Sequence, residues 1–269
     1  MLTTVIINDC RDANAMGRQM TRVASLLGSQ VIPVGVQDDL EAAGCLVDAL
    51  DALGGRGETL VLLNVAPRNG PAKKWPNGSP FGYFYYCHTL VISSIDGLAL
   101  SLAKKMGWLT QVRLLDIPTV VEKMVAQGAI DEADAGLIEN SQFRSFDILP
   151  YAASYLKNSL LGLTRFGKFP LKEIPDPPKA VWYIDCFGNA KTTLLLEDVK
   201  LSDNGVIELK IGPFLYYPRL ADVPDDGMAA MVTGSSGIRS KRFLEIVVRG
   251  VQGGGAAEKL GLEVGQIIL

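Results

Sequence analysis

Thr59-Leu60-Val61-Leu62-Leu63-Asn64-Val65 offers no face to water: six of its seven side chains are apolar or β-branched, and only Asn64 breaks the run. A strand of this kind lies inside a sheet covered on both sides, the habit of parallel sheets in α/β folds. Working outward, Thr3–Asn8 reads the same way, and residues 30–36 and 89–93 read as further strands. Ala13–Leu27 sets Met16, Met20, Val23 and Leu27 at helical spacing, Asp38 and Asp39 offer an N-cap for a helix running to Leu53, and 98–106 reads as a third helix. Strands separated by helices imply right-handed crossovers. Residues 1–168 are therefore expected to form an α/β domain with a mainly parallel sheet, completed by helices over 118–127, 131–140 and 147–158.

The pattern then changes. Residues 169–179 hold Pro170, Pro175, Pro177 and Pro178, the composition of a stiff linker. Beyond it, 180–185, 191–196, 206–209, 231–233 and 243–248 read as short strands separated by Asn-Gly, Gly-Pro, Asp-Gly and Ser-Gly turns. A small all-β domain, a barrel or a sandwich, is expected over 180–269.

Composition narrows the chemistry. The chain has 269 residues with 26 basic against 29 acidic side chains and no basic block, which argues against binding along a nucleic-acid backbone. No apolar run reaches the ~18 residues of a bilayer span, and no secretory leader is visible, so no membrane partner and a cytoplasmic location are expected. Cys10, Cys45, Cys87 and Cys186 form no C-x-x-C pair, and His88 is the only histidine. A zinc knuckle, a redox dithiol and a two-histidine metal site are thereby excluded, and no metal is expected. His88, in the aromatic stretch after Tyr85 and Tyr86, reads as a partly buried structural residue.

In an open parallel sheet, ligands sit beyond the carboxyl ends of the strands. Asn8-Asp9-Cys10-Arg11-Asp12, residues 64–74 and Ser93-Ser94-Ile95-Asp96-Gly97 lie at such ends. The Asp9 carboxylate could accept both hydroxyls of a ribose, or it could cap the helix from Ala13. Ala66-Pro67-Arg68-Asn69-Gly70-Pro71-Ala72-Lys73-Lys74-Trp75 could hold an anion through Arg68 and Lys73, or be a solvated turn. There is no G-x-x-x-x-G-K-[ST] to cradle a triphosphate. In the second domain, Asp185, Phe187 and Asn189 alternate. In an extended chain they would present a carboxylate, a stacking ring and an amide on one side, a surface suited to an amino acid or a nucleobase. Gly253-Gly254-Gly255 opens a short helical segment, either as a simple glycine turn or as a helix start with N–H groups for a polar ligand.

The order of these motifs resembles the S-adenosyl-L-methionine (SAM) hydroxide adenosyltransferase family, whose relatives include SAM-dependent fluorinases and chlorinases. The family's Ile-Asp-x-Phe-Gly-Asn, with Thr-Asn beyond, is similar to Ile184-Asp185-Cys186-Phe187-Gly188-Asn189 and Thr192-Thr193. Its Ser-x-Gly, Leu-Glu-Ile-Ala-Val-Asn and Gly-Ser-Ala-Ala…Leu-Gly-Leu elements resemble Ser235-Ser236-Gly237, the strand from Leu244 to Arg249, and the segment from Gly255 to Leu262. Asn8-Asp9-Cys10-Arg11-Asp12 resembles its Thr-Asp-Phe-Gly-x-x-Asp, and Asp147-Ile148-Leu149-Pro150 its Asp-Ile-Phe-Ala-Pro. The resemblance implies a homotrimer that binds SAM between its two domains near the subunit interface, as substrate and with no further cofactor. Asp9 would hold the ribose. Asp185 and Ser236 would meet the methionine end, Phe187 and Asn189 would line the adenine and sugar, and Arg249, at the end of the resembling strand, would be a further substrate-binding residue. The implied reaction is displacement of methionine at the 5′ carbon by water or hydroxide, giving adenosine. The family's water-activating Asp-Arg-His set is replaced by Ala66, Lys73 and Arg144. Lys73 and Arg144 are therefore the candidate catalytic cations for another, anionic nucleophile, and a SAM- or adenosine-binding protein without turnover is the alternative.

Overall fold

The computed structural model describes residues 2–55, 57–65, 80–158, 167–250 and 255–269. The chain divides into two compact units, Met1–Asp176 and Pro177–Leu269. The division falls inside the proline-rich stretch, yet the first part of that stretch belongs to the first unit. Phe169 pairs with Val112, Leu171–Glu173 forms a 3-10 turn, and Lys104 Nζ donates to the Ile174 carbonyl at 2.6 Å while lying 2.9 Å from Asp176.

In chain order the first unit comprises β1 (Thr3–Asn8), α1 (Ala13–Leu27), β2 (Gln30–Gly35), α2 (Asp39–Leu53), β3 (Thr59–Asn64), β4 (Phe81–Tyr86), β5 (Thr89–Ser94), α3 (Ser101–Lys105), β6 (Val112–Leu114), α4 (Ile117–Ala126), α5 (Glu132–Glu139), α6 (Arg144–Asp147), α7 (Leu149–Asn158) and β7 (Lys168–Phe169). Its seven strands run in the order β2-β1-β3-β5-β4-β6-β7. The four-strand side is parallel, with Thr3 opposite both Gln30 and Thr59, and Thr59 opposite Thr89. The β5/β4, β4/β6 and β6/β7 pairings are antiparallel. The expectation of a mainly parallel sheet therefore holds for one side only. The turn Cys87-His88, with Cys87 at φ 51°, is too short for anything but a hairpin, and β4 in the aromatic stretch went unread as a strand. His88 is exposed in that turn, not partly buried.

α1 buries Met16, Gln19, Val23 and Leu27, with Met20 half-buried. Its N-cap is Asp12, which accepts from the amides of Asn14 and Ala15 at 3.1 and 3.0 Å, so Asp9 does not have that role. Asn8 is fully buried: its amide donates to Gln19 Oε1 on α1, and its side-chain oxygen accepts from Cys10 N at 2.8 Å. The bend carrying Asp9 is thus tied to both β1 and α1.

α2 opens with a reciprocal cap, Asp38 accepting from Glu41 N at 2.8 Å and Glu41 from Gln37 N at 2.7 Å. Burial pushes the Glu41 carboxyl above its ordinary 4.5, although the Gln37 amide pulls it back. The folded state then holds the Glu41 proton more tightly than the unfolded state. This contribution falls away as pH rises from 4.5 through the raised value, and the penalty is complete above it. Thermal melts of Glu41→Gln and wild type are expected to differ more in the variant's favour at pH 7 than at pH 4. A difference that does not change with pH would show that the carboxyl carries no such penalty.

The second unit comprises β8 (Val181–Ile184), β9 (Ala190–Leu195), β10 (Val206–Leu209), β11 (Gly212–Tyr217), β12 (Ala229–Ile238), β13 (Lys241–Val248) and α8 (Ala256–Leu260). Its six strands form one sheet in the order β10-β11-β12-β13-β9-β8. All its pairings are antiparallel except the short β11/β12 contact at Tyr216 and Tyr217. The expected barrel or sandwich is thus, among the described residues, a single mixed sheet whose end strands β10 and β8 do not pair. Its core gathers Val181, Leu194, Ile207, Met231, Leu244 and Ile246, with Ala256 of α8 packed in. Gly234-Ser235-Ser236-Gly237 precedes β13 but is not a turn between strands. It lies within β12, where the pairing with β13 slips between Thr233 and Gly237.

Candidate functional site

The densest of the expected motifs is a turn, not an extended edge. Asp185 Oδ1 accepts from the amides of Phe187 and Asn189, both at 2.9 Å, and Oδ2 accepts from Asn189 Nδ2 at 3.0 Å. The backbone closes the same loop, with Asp185 N donating to Asn189 O at 3.0 Å and Gly188 N to Asp185 O at 2.9 Å. Gly188 sits at φ 76°, where a side chain would be strained. The three side chains therefore do not alternate along a strand. Asp185 builds the turn, Asn189 ties to it, and Phe187 projects outward with 64% of its surface exposed.

The start of α8 buttresses this turn. Ala257 N donates to Gly188 O at 2.8 Å, so one of the amides offered by the helix start already has a partner in the protein. A Cβ on Gly255 would collide with Phe187 O and lie 2.5 Å from Gly188 Cα. The two segments that resemble family motifs thus touch backbone to backbone, which only glycine at 255 permits. Of a carboxylate's roughly four acceptor positions, the described residues fill three on Asp185 and leave one on Oδ2. Asn189 Oδ1 accepts nothing among the described residues.

Ser236 is in the same unit but in another setting. It is 2% exposed and accepts from Lys191 Nζ at 2.8 Å. That ammonium also lies 5.5 and 5.8 Å from the Trp182 and Tyr183 rings, and its strand position is opposite Glu245. Glu245, 8% exposed, accepts from Ser235 N at 3.1 Å. Lys191 and Glu245 were absent from the expected site. The available signal was Glu245, a charged residue inside the apolar run Phe243–Val248, which must be paired to be buried.

Arg249 follows β13. It donates to the carbonyls of Val223 and Pro224 and lies 3.5 Å from Asp226, contacts that hold a loop.

In the first unit, Asp9 stands half-buried in the bend after β1. Arg144 opens α6 with its guanidinium 4.5 Å above the Phe81 ring, and burial pushes its pKa down. Arginine still keeps its charge at neutral pH, so it can attract an anion but cannot take a proton from water. Lys73, Ala66 and the basic loop they bound lie outside the described residues. All four cysteines are free thiols. Among the described residues no group of three or more His, Cys, Asp or Glu side chains is placed to share a metal ion, and no helix is long and apolar enough to cross a membrane.

No protein-family model and no curated protein sequence matches the chain. Among solved structures, it is similar to an uncharacterized conserved protein from Thermotoga maritima, with a TM-score of 0.66 at 15% identity over 99% of this chain and 100% of that one. It is also similar to a conserved hypothetical protein from Thermus thermophilus, with a TM-score of 0.61 at 22% identity and all of both chains covered. At these identities the likeness is one of fold: a two-part α/β chain with a seven-stranded and a six-stranded sheet.

Proposed function

We propose that this protein binds an adenosyl compound, with SAM as the ligand class, and displaces methionine from its 5′ carbon to release adenosine. Support comes chiefly from the turn Asp185–Asn189, locked by its own hydrogen bonds against Gly255 and Ala257 and presenting Phe187 to solvent. A rigid exposed ring beside an open amide oxygen suits a purine: Phe187 stacks its face and Asn189 Oδ1 accepts from its amino group. Asp9 takes the ribose hydroxyls, and Asp185 Oδ2 and Ser236 serve the methionine end. A homotrimer in the cytoplasm, with the ligand near a subunit boundary, completes the proposal. In the displacement, a water oxygen forms a bond to C5′ and the C5′–S bond breaks with its electron pair going to sulfur. One water proton passes to solvent, leaving neutral methionine thioether and adenosine.

A second reading, binding without turnover, is favoured by Arg144. Its place in the resembling motif belongs to a histidine, and here it holds a ring-stacked cation with no capacity as a base. The experiment is incubation with SAM, followed by chromatography for adenosine and methionine and by native mass spectrometry for retained nucleoside. Adenosine and methionine in equal amounts support the displacement. SAM retained intact supports the second reading, and a tight ligand at about 100 times its Kd would add about 2.7 kcal/mol to stability. The absence of both release and retention overturns both readings.

A further inference from the structure

The face of α1 turned toward α6 and α7 carries chemistry that the adenosyl proposal does not use. Asn14, Arg18, Thr21 and Arg22 of α1, with Phe146 and Tyr151, line a groove of about 750 Å3. Arg18 and Arg22 are one helical turn apart, and both guanidiniums lie over the same ring: 4.4 and 4.1 Å, respectively, from the centre of Phe146. Arg18 also lies 5.1 Å from the Phe143 ring and Arg22 5.4 Å from that of Tyr151. Two like charges are thereby held no further apart than the two Phe146 distances laid end to end.

Stacking occupies the π face of a guanidinium and leaves its in-plane N–H donors pointing outward. Arg18 makes no hydrogen bond or ion pair among the described residues. Arg22 has one carboxylate near it, Asp147 at 3.9 Å, beyond hydrogen-bond reach, and Asp147 also accepts from Ser141. Of the two, only Arg22 has a countercharge among the described residues, and that at a distance, while the residues lining the groove besides the two arginines are all neutral.

We infer that this groove is a binding site for a phosphate-bearing small molecule, whose doubly charged group is gripped by Arg18 and Arg22 together. A phosphate offers three acceptor oxygens and about two charges, matching two neighbouring guanidinium forks where a single carboxylate would satisfy one. The site stands whether or not an adenosyl compound binds elsewhere on the chain.

The test is calorimetric titration of the full chain with sodium pyrophosphate and with inorganic phosphate, without SAM, at low and high sodium chloride. Wild type is expected to bind pyrophosphate more tightly than phosphate, and more weakly at high salt as screening rises. Arg18 is exposed, so Arg18→Ala should keep its fold, checked by circular dichroism, and should weaken pyrophosphate binding at least about tenfold, the loss of one charge-assisted fork. Arg18→Lys should fall between. Absence of heat from either anion in wild type, or equal affinity in wild type, Arg18→Ala and Arg22→Lys, overturns the inference. Measuring SAM retention by the same variants separates this outcome from failure of the adenosyl proposal.

Discussion

Gly255→Ala is expected to disrupt the candidate site more than any other single methyl group. The Gly255 backbone is ordinary, at φ −76°, so the cost is steric. The added Cβ would overlap Phe187 O and stand 2.5 Å from Gly188 Cα and 2.7 Å from Gly188 C. All three are backbone atoms of a turn already pinned by Asp185, with no flexible side-chain end to swing aside. Relief requires the turn and the start of α8 to separate, which breaks the 2.8 Å bond from Ala257 N to Gly188 O. Overpacking of this kind costs about 3 kcal/mol, and in a unit of this size that lowers Tm by roughly 10–20 °C. Gly136→Ala in α5 is the control. Nothing lies within 4 Å of the position its Cβ would take, and a helix-interior glycine replaced by alanine gains roughly 0.5–1 kcal/mol. Differential scanning calorimetry is expected to move the two variants in opposite directions. Equal melting points would show that the turn and α8 do not bear on each other. If the turn presents Phe187 to a purine, Gly255→Ala also loses SAM retention while the first unit stays folded.

How far such features were readable depends on what competed with the local pattern. β1 and β3 were legible because a nearly continuous apolar and β-branched run marks a strand buried on both faces, and α1 because Met16, Met20, Val23 and Leu27 recur at helical spacing. Gln19 does not belong to an apolar stripe, and only the partner Asn8 on β1 explains its burial. β4 went unread because Tyr and Phe fit a strand or a packed loop equally well until β5 pairs with them. β12 was cut short at Thr233 because Gly-Ser-Ser-Gly is a turn composition. The strand continues through it by slipping register, a device that composition does not display.

The candidate site shows the same division. Asp185, Phe187 and Asn189 were found as a group, but strand alternation was the wrong geometry for them. An Asp followed two residues on by Phe-Gly-Asn holds the elements of a turn in which the carboxylate accepts amides two and four residues on, and Gly188 at φ 76° reverses the chain. Lys191 could not be linked to Ser236 from sequence, since 45 residues separate them and only the β12/β13 and β13/β9 pairings together bring them close. Arg144 was legible as a cation in an unexpected place, whereas the ring beneath it was not.

Phe81→Ala is expected to have the largest effect on the first unit. Phe81 is fully buried in β4, and its removal leaves a cavity worth about 4 kcal/mol. It also takes away the surface on which the Arg144 guanidinium rests at 4.5 Å, a contact of about 1 kcal/mol when partly desolvated. Phe81→Leu keeps most of the volume and loses the ring, so it isolates the second effect. In a double-mutant cycle, Phe81→Leu and Arg144→Met are expected to couple by about 1 kcal/mol in urea unfolding. Strict additivity would mean that Arg144 is held by something other than the ring. Turnover in the same variants then assigns the role of the cation. If Arg144 stabilises the hydroxide character that develops on the water attacking C5′, Arg144→Met loses adenosine release with SAM retention intact, and Phe81→Leu, which takes away the ring beneath the guanidinium, loses part of it. If the chain binds without turnover, neither variant changes what happens to SAM, and Arg144 is a packing residue whose charge is tolerated because an aromatic face lies beneath it.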